Sequence, residues 1–443
     1  MFPNPQDALP LPLRPNLEQY KKQAKELVKA CKSNDSNAVG AWAAQWLESL
    51  AALQGPGLTP QLRRWLQRQL DKLEKFARDK LEHGSAKCTL ADAQFVIARA
   101  HGFESWPKFS KHLKELARAS SPISKFELAA DAVVTGDAVA LQQLLREDPA
   151  LIRARSTREH QATLLHYVSA NGIEGFRQKT PKNAVKIAEI LLNAGAEVDA
   201  AADVYGGGAT ALGLVATSIH PEKAGVQNAL MELLLDHGAA IDAPAVAGNK
   251  QSAVVGCLAN GRGSAAEFLA ARGARLDLEG AAGVGRLDMV RTFFNEDGNL
   301  TANVTRAQLE RGFLWACEYG RNNVVEFLLQ RGVDLLLAQA NTGETGLHWA
   351  VIGGQVHTIK LLLKQGASLE AENAFGGSAL SQALWSVVNS DAGVDYVATI
   401  ETLLEAGAKI EDGSLVWLAQ QGGGSASVQL RIAEVLRRYG AKS

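Results

Sequence analysis

One short phrase recurs seven times in the sequence and limits what the chain can fold into more than any other feature. Each copy has an apolar start, two variable residues, a Gly followed by Ala or once by Val, and in six copies a short tail. The clearest copies read LLNAGAEVDA, LLDHGAAIDA, LLKQGASLEA and LLEAGAKIED. A glycine that follows an apolar helical pattern is typical of a left-handed cap at the helix C-terminus. We therefore expect a helix to end at each copy.

The spacing of these copies indicates a repeated structural unit. The glycines lie at positions 195, 238, 273, 332, 366, 407 and 440, at intervals of 43, 35, 59, 34, 41 and 33 residues. The interval of 59 residues has room for a degenerate copy, and AAGVGRLDMVRTFFNEDGN at residues 281–299 fits one. A second phrase precedes each Gly by about twenty residues, and its best copies are ATLLHYVSANGI and ETGLHWAVIGGQ.

The second phrase resembles the T-P-L-H-x-A opening of ankyrin repeats, although the proline is replaced throughout, and several intervals lie near their 33-residue period. This resemblance implies an all-α solenoid of about nine helix–turn–helix repeats over residues 121–443, with long insertions in the second, third and eighth repeats. Each unit buries its apolar face only against its neighbours. It also implies a protein partner, held in a concave groove.

Residues 1–120 lack the Gly-Ala phrase, and their apolar spacing predicts a helical N-terminal domain of about five helices, as a small bundle or a cap. Thr89 and Ser105 are expected to cap two of these helices. The phrases LEQYKKQAKEL and LADAQFVIARAHGFESWPKF resemble the openings of many bacterial ankyrin-repeat proteins. A face rich in Trp, with Trp42, Trp46, Trp65 and Trp106, is either core or a binding surface.

Composition excludes several classes of function. Lys and Arg total 46 and Asp and Glu 47, so the formal charge of −1 favours neither nucleic acid nor an anionic membrane as partner. No run approaches the roughly 18 to 20 apolar residues of a membrane-spanning helix, and the N-terminus is a poor secretory signal. The four cysteines show no C-x-x-C spacing, which predicts reduced thiols and a cytoplasmic protein.

The sequence contains no recognised catalytic motif. A phosphate-binding G-x-x-x-x-G-K-[ST] loop, an H-E-x-x-H pair and a G-x-S-x-G elbow are all missing. His166 and His348 occupy the histidine position of the repeat phrase, where we expect a hydrogen bond at the helix end. We therefore predict no catalytic residue, no metal site and no cofactor, and favour binding over catalysis.

One region is dense in polar residues, because the insertion at 171–183 and the segments around 200–225 are expected to emerge on one side of the solenoid. The side chains predicted to meet there are Glu174, Arg177, Asp203, Tyr205 and His220. They are suited to a small polar ligand or to acid–base work. In the alternative interpretation these side chains only pack the insertion on its neighbouring loop, with Arg177 paired to Glu174 or Asp203.

A second candidate surface is the groove formed by the exposed ends of the inner helices. Its predicted partner-binding residues are Asn171, Asn260, Glu318, Tyr319 and Trp385. Aromatic residues of this kind anchor interfaces. Trp315, Trp349 and Trp417 share another repeat position and are assigned to the core. The leading hypothesis is a protein-interaction scaffold, and the alternative is a small-molecule-binding protein or enzyme.

Overall fold

The computed structural model describes residues 4–12, 15–52, 60–82, 88–242, 251–389, 393–421 and 425–441. Within these ranges all regular structure is helical, with twenty-four α-helices, three short 3-10 helices and only isolated β-bridges. The all-α prediction is therefore confirmed. The chain divides into two compact units, residues 1–250 and residues 251–443.

The first unit begins with five helices that precede the repeats. They are α1 (Leu17–Cys31), α2 (Ala38–Ala52), α3 (Pro60–Glu82), α4 (Leu90–Ala100) and α5 (Trp106–Leu116). The side chain of Thr89 accepts a hydrogen bond from the Asp92 N–H at the start of α4, and that of Ser105 accepts one from the Lys108 N–H in α5. Both predicted caps are confirmed, as is the helical character of this region.

An aromatic cluster forms the core of these five helices. The ring of His101 stacks on Phe109 with centroids 5.1 Å apart, and Tyr20 and Trp46 approach its edge at 5.2 and 5.5 Å. Its Nδ1 lies 2.9 Å from the Leu9 carbonyl oxygen, and burial lowers the pKa of His101 to about 3. Trp42 is also buried, so the Trp-rich face is core at these positions. The side chain of Trp65 lies outside the described residues.

Three helix pairs complete the first unit. They comprise α6 (Pro122–Thr135) with α7 (Ala138–Glu147), α8 (Leu164–Tyr167) with α9 (Ala184–Asn193), and α10 (Ala211–Thr217) and α11 (Ile219–Lys223) with α12 (Gln227–Asp236). The N-terminal helices pack on this part of the unit, because α5 contacts α6. In the loop before α8, the Glu159 N–H donates to the Gly102 carbonyl at 2.9 Å and the Glu159 carboxylate pairs with Arg99. The boundary at residues 120/121 stays a prediction.

Six helix pairs form the second unit. They are α13 (Ala253–Ala259) with α14 (Gly263–Ala271), α15 (Leu278–Gly283) with α16 (Leu287–Thr292), α17 (Arg306–Glu318) with α18 (Asn322–Gln330), α19 (Gly346–Ile352) with α20 (Val356–Lys364), α21 (Ala379–Asn389) with α22 (Tyr396–Glu405), and α23 (Ser414–Gln420) with α24 (Ala426–Arg438). The described residues thus hold the nine pairs expected, including the degenerate one at α15 and α16. The insertion of the eighth repeat falls partly on residues 390–392, outside the described residues.

The glycine of each recurring phrase ends an outer helix as predicted. All seven have a positive φ, between +80° and +96°. In every copy the next residue's N–H donates to the carbonyl five residues earlier, as Ala367 does to Leu362 at 3.0 Å. This bond is the signature of a Schellman cap, which needs a left-handed residue at its corner. The prediction of left-handed helix ends is confirmed.

A second set of glycine corners joins the inner to the outer helices, and the sequence analysis missed it. Gly136, Gly225, Gly261, Gly285, Gly320 and Gly354 have φ between +64° and +79°. The following N–H again reaches the carbonyl five residues back, as Arg321 does to Ala316 at 2.8 Å. Both ends of these helix pairs are therefore fixed by backbone geometry.

The histidines of the second phrase close the start of the inner helix. Nδ1 of His166 accepts from the Thr163 N–H at 3.1 Å, and its Nε2 lies 3.2 Å from the Ala209 carbonyl oxygen in the next repeat. His348 makes the same contacts with Thr345 and Gly377, at 3.2 and 3.1 Å. The predicted helix-end role is confirmed. Each histidine also ties its helix to the following loop.

Candidate functional site

One recess in the second unit is a groove formed by the last three repeats. Its volume is about 550 Å³. We call it the acidic groove, and its lining residues are Glu344, Asn373, Phe375, Gly376, Gly377, Ser381, Gln382, Leu384, Trp385, Glu411, Asp412, Gly413, Ser414 and Trp417. They come from α21, from α23 and from the loops that precede the inner helices. The predicted groove residue Trp385 is among them.

Two large aromatic side chains are exposed at this groove. The exposed fraction of Phe375 is 80%, and that of Trp385 is 54%. Trp417 is half-buried and packs partly against the core. Large apolar side chains so exposed and close together mark interaction sites more often than a scattered single residue does. The core assignment of Trp417 is therefore only partly right, because its side chain also lines the groove.

Hydrogen bonds fix the loop that carries Phe375. The side-chain oxygen of Asn373 accepts from the Phe375 N–H at 3.0 Å and from the Gly377 N–H at 2.9 Å. Gly376 has a φ of +76°, which a residue with a Cβ adopts reluctantly. The Ala374 N–H donates to the Thr342 carbonyl at 2.8 Å, so the loop is also tied to its neighbour. The exposed ring thus stands on an ordered loop.

The groove carries a negative charge. Its lining includes Glu344, Glu411 and Asp412 and no Lys, Arg or His, which gives a formal charge of −3. Two of these carboxylates are oriented by neighbouring hydroxyls, because Glu344 accepts from Thr342 at 2.8 Å and Glu411 accepts from Ser381. These hydroxyl bonds orient the two carboxylates but supply no positive charge.

A fourth acidic residue, Glu318, lies near the groove in the sixth repeat. Alignment of the repeat phrases gives Glu318 the place that Trp385 has in the eighth repeat. Burial and the neighbouring charge of Glu344 raise the pKa of Glu318 to about 8. Its Oε2 atom is enclosed and has no hydrogen-bond partner among the described residues. This predicted groove residue is therefore a poorly satisfied carboxyl group.

The other predicted groove residues of the second unit make hydrogen bonds within the repeats. The half-buried Tyr319 donates its hydroxyl to the Leu258 carbonyl at 2.7 Å, and the exposed Asn260 donates its amide to the Gly256 carbonyl at 2.8 Å. Trp315 is buried as expected, and its ring meets the half-buried Trp349 edge-on at 5.0 Å. A partner-binding role for Tyr319 and Asn260 stays a prediction.

The first unit contains a buried ion cluster around the predicted polar residues. Glu174 is fully buried, and its Oε1 atom lies 3.0 Å from Arg158, 3.2 Å from His160 and 3.2 Å from the Tyr167 hydroxyl. Arg177 lies 3.7 Å from the same carboxylate. Burial alone would raise the pKa of Glu174, but the charge of Arg158, with those of His160 and Arg177, holds it well below its usual range.

The cluster joins the second-repeat insertion to the first repeat. Glu127 of α6 accepts from both Arg158 and Arg177 at 2.7 Å, and Arg177 also bonds to Asp131 at 2.8 Å. The pairing of Arg177 with Glu174 follows the structural alternative. A carboxylate with no exposed surface is closed to a ligand from solvent, so Glu174 is part of the packing.

The remaining predicted residues lie near the insertion without entering the cluster. The Tyr205 hydroxyl donates to the side-chain oxygen of Asn171 at 2.6 Å. Asp203 is exposed, and its backbone N–H donates to the His160 carbonyl at 2.8 Å. His220 lines a separate polar recess of about 370 Å³ beside Gln178. The loops do converge, but the five side chains are divided among different contacts.

Among the residues that the structure describes, no three His, Cys, Asp or Glu side chains are arranged to hold a metal ion. Among the described helices, none is long and apolar enough to cross a membrane.

Comparison with known proteins identifies ankyrin repeats in the chain. A family model for ankyrin repeats, in three copies, matches residues 313–413. A segment of 61 residues is 39% identical to the inhibitor of Bruton tyrosine kinase from Homo sapiens, covering 14% of this chain and 4% of that protein. The Mus musculus protein is 37% identical over 65 residues, which are 15% of this chain and 5% of that protein. The chain thus matches only a small part of these relatives.

A solved structure also matches. The crystal structure of the human ASB11 ankyrin repeat domain aligns with 22% identity and a TM-score of 0.33, covering 64% of this chain and 99% of that one. The bacterial origin expected from the N-terminal phrases stays a prediction.

Proposed function

We propose, from the premise that residues 313–413 are ankyrin repeats, that the chain is a protein-interaction scaffold whose acidic groove holds a protein partner. The observation that carries the proposal is the pair of exposed aromatic side chains, Phe375 and Trp385, in one groove of about 550 Å³. Ankyrin repeats are generally protein-interaction modules, and this is the surface of the second unit best equipped for that role.

The aromatic side chains supply the binding free energy. Burying a Phe side chain stabilises by about 1.5–3 kcal/mol, and Trp is among the residues most enriched at interface hot spots. Phe375 is exposed over most of its surface and Trp385 over about half. A partner that covers these two side chains therefore removes their apolar surface from water. Covering both rings therefore contributes to the affinity for a partner.

The ordered loop beneath Phe375 lowers the cost of binding. Asn373 holds the loop through two backbone N–H groups, and the Ala374 N–H ties it to the loop before it. Because little main-chain freedom remains to be lost, more of the contact free energy appears as affinity.

Two further observations agree with this role. The curated relatives are named as inhibitors of a tyrosine kinase, so those proteins act on another protein, and this supports a protein as the class of partner here. All four cysteines are free thiols, which supports a reducing compartment such as the cytoplasm. For the small-molecule alternative, the described polar residues offer no comparable site.

The test is quantitative capture of partners from a native lysate of the source organism. The full chain and Trp385→Ala are compared with Leu430→Ala, a matched control whose side chain is 66% exposed outside the groove lining. We expect proteins that bind the wild type and the Leu430→Ala control to be depleted about tenfold or more with Trp385→Ala. Equal recovery with all three chains would contradict the proposal.

A further inference from the structure

We infer that the acidic groove binds an extended protein segment that carries Lys or Arg beside an apolar side chain. The inference rests on the proposed function and specifies the chemistry of the partner. Three features support it: the charge of the lining, the aromatic faces next to that charge, and the origin of the acidic residues in different repeats.

The negative charge of the groove favours a positively charged partner. Glu344, Glu411 and Asp412 give a formal charge of −3 that no lining cation offsets. Charges of one sign that line a cleft together raise the local concentration of groups of the opposite charge. An anionic partner, such as a nucleic acid or an acidic peptide, would meet repulsion here, whereas a cationic segment gains attraction.

The aromatic rings add a second preference for cations. Trp385 and Trp417 line the same groove as the three carboxylates. A Lys or Arg head placed over an indole face is attracted by its ring electrons, and Trp is the best such ring. A guanidinium can stack on the ring while its N–H groups reach a carboxylate, which favours Arg at this position.

Phe375 provides the apolar part of the recognition. Its ring is 80% exposed at the rim of the groove, on the loop fixed by Asn373. A neighbouring apolar side chain of the partner would cover this ring and remove both surfaces from water. A segment with basic residues alone would leave Phe375 exposed, so the partner needs both kinds of side chain.

The carboxylates of the groove come from different repeats. Glu344 precedes the inner helix of the seventh repeat, whereas Glu411 and Asp412 precede that of the ninth. A segment that meets all three crosses the eighth repeat, which carries Phe375 and Trp385. The segment is therefore expected to run along three repeats in an extended form.

The experiment is a selection of displayed random peptides of about 12 residues, which reach about 40 Å when extended, on the immobilised full chain. The test chain carries Glu411→Gln with Asp412→Asn, and the control chain carries Glu405→Gln with Glu434→Gln, two exposed carboxylates outside the groove lining. Both chains change the net charge equally. A third chain carries Trp385→Ala.

We expect peptides selected on the wild type to be enriched in Lys or Arg next to apolar residues. Their affinity should fall about tenfold on the Glu411→Gln and Asp412→Asn chain, weaken with added salt, and stay unchanged on the control chain. Peptides that require Trp385 but show no basic bias would overturn the inference and leave the proposed function standing. No selected peptide, or peptides indifferent to Trp385→Ala, would overturn both.

Discussion

Replacing Gly366 by Ala is expected to destabilise the second unit, whereas the same replacement at Gly256 is expected to stabilise it. Gly366 is the corner after α20, with a φ of +96°, and Gly256 lies within α13. A Cβ built on either residue meets no atom within 4 Å. The two substitutions therefore differ in backbone conformation and not in steric crowding.

The magnitudes follow from that difference. An Ala held in the left-handed region costs about 1–2 kcal/mol at Gly366. Within a helix, Ala is more favourable than Gly by about 0.5–1 kcal/mol, so Gly256→Ala gains this amount. The two variants should differ by about 2 kcal/mol in free energy of unfolding, with opposite signs relative to the wild type.

Urea denaturation of the full chain, followed by far-ultraviolet circular dichroism, measures this difference. We expect a lower midpoint for Gly366→Ala and a higher midpoint for Gly256→Ala, with similar dependence on urea concentration. A Gly366→Ala variant as stable as the wild type would refute the claim that the Schellman corner requires a left-handed residue. A loss of stability in both variants would refute the assignment of cost to the backbone alone.

Two further predictions concern buried charges. Glu174→Gln should lower the free energy of unfolding by about 3–5 kcal/mol, because Arg158 and Arg177 would remain buried with one carboxylate fewer. Urea denaturation measures this loss, and a loss below about 1 kcal/mol would contradict a stabilising role for the buried ion cluster. Glu318→Gln should remove a pH dependence of the free energy of unfolding. The pKa of Glu318 is raised to about 8 in the folded chain, so its contribution to stability is full below the unfolded pKa and is lost as pH rises through about 8. The variant should match the wild type near pH 4 and exceed its stability by about 5 kcal/mol at pH 9, because each pH unit between 4.5 and about 8 costs the wild type about 1.4 kcal/mol. A constant difference at both pH values would contradict this assignment.

The repeat architecture could be predicted because its determinants are local in sequence. A Gly at the end of an apolar helical pattern needs no tertiary contact to favour a left-handed corner, and all seven such glycines adopt it. The inner corners, such as Gly320 and Gly354, were missed because the residues that follow them differ from copy to copy. Their regular position before each outer helix was the signal that could have revealed them.

The candidate site was less predictable because it depends on how neighbouring loops pack. Trp385 could be proposed from its place at the exposed end of an inner helix, but Phe375 and Glu411 enter the groove through loop conformations. The Asn373 turn within NAFGG was the available signal for Phe375. Conversely, Glu174 looked like a ligand-binding carboxylate, and only its complete burial revealed a packing role.

Hydrogen–deuterium exchange of the full chain, with and without a Lys- or Arg-containing peptide recovered from the selection, tests the binding groove most directly. We expect bound peptide to slow exchange at residues 373–385 and 411–417, where the acidic groove is lined, and to leave residues 1–250 unchanged. Slowed exchange confined to residues 1–250, or no change at residues 373–385 and 411–417, would contradict the account.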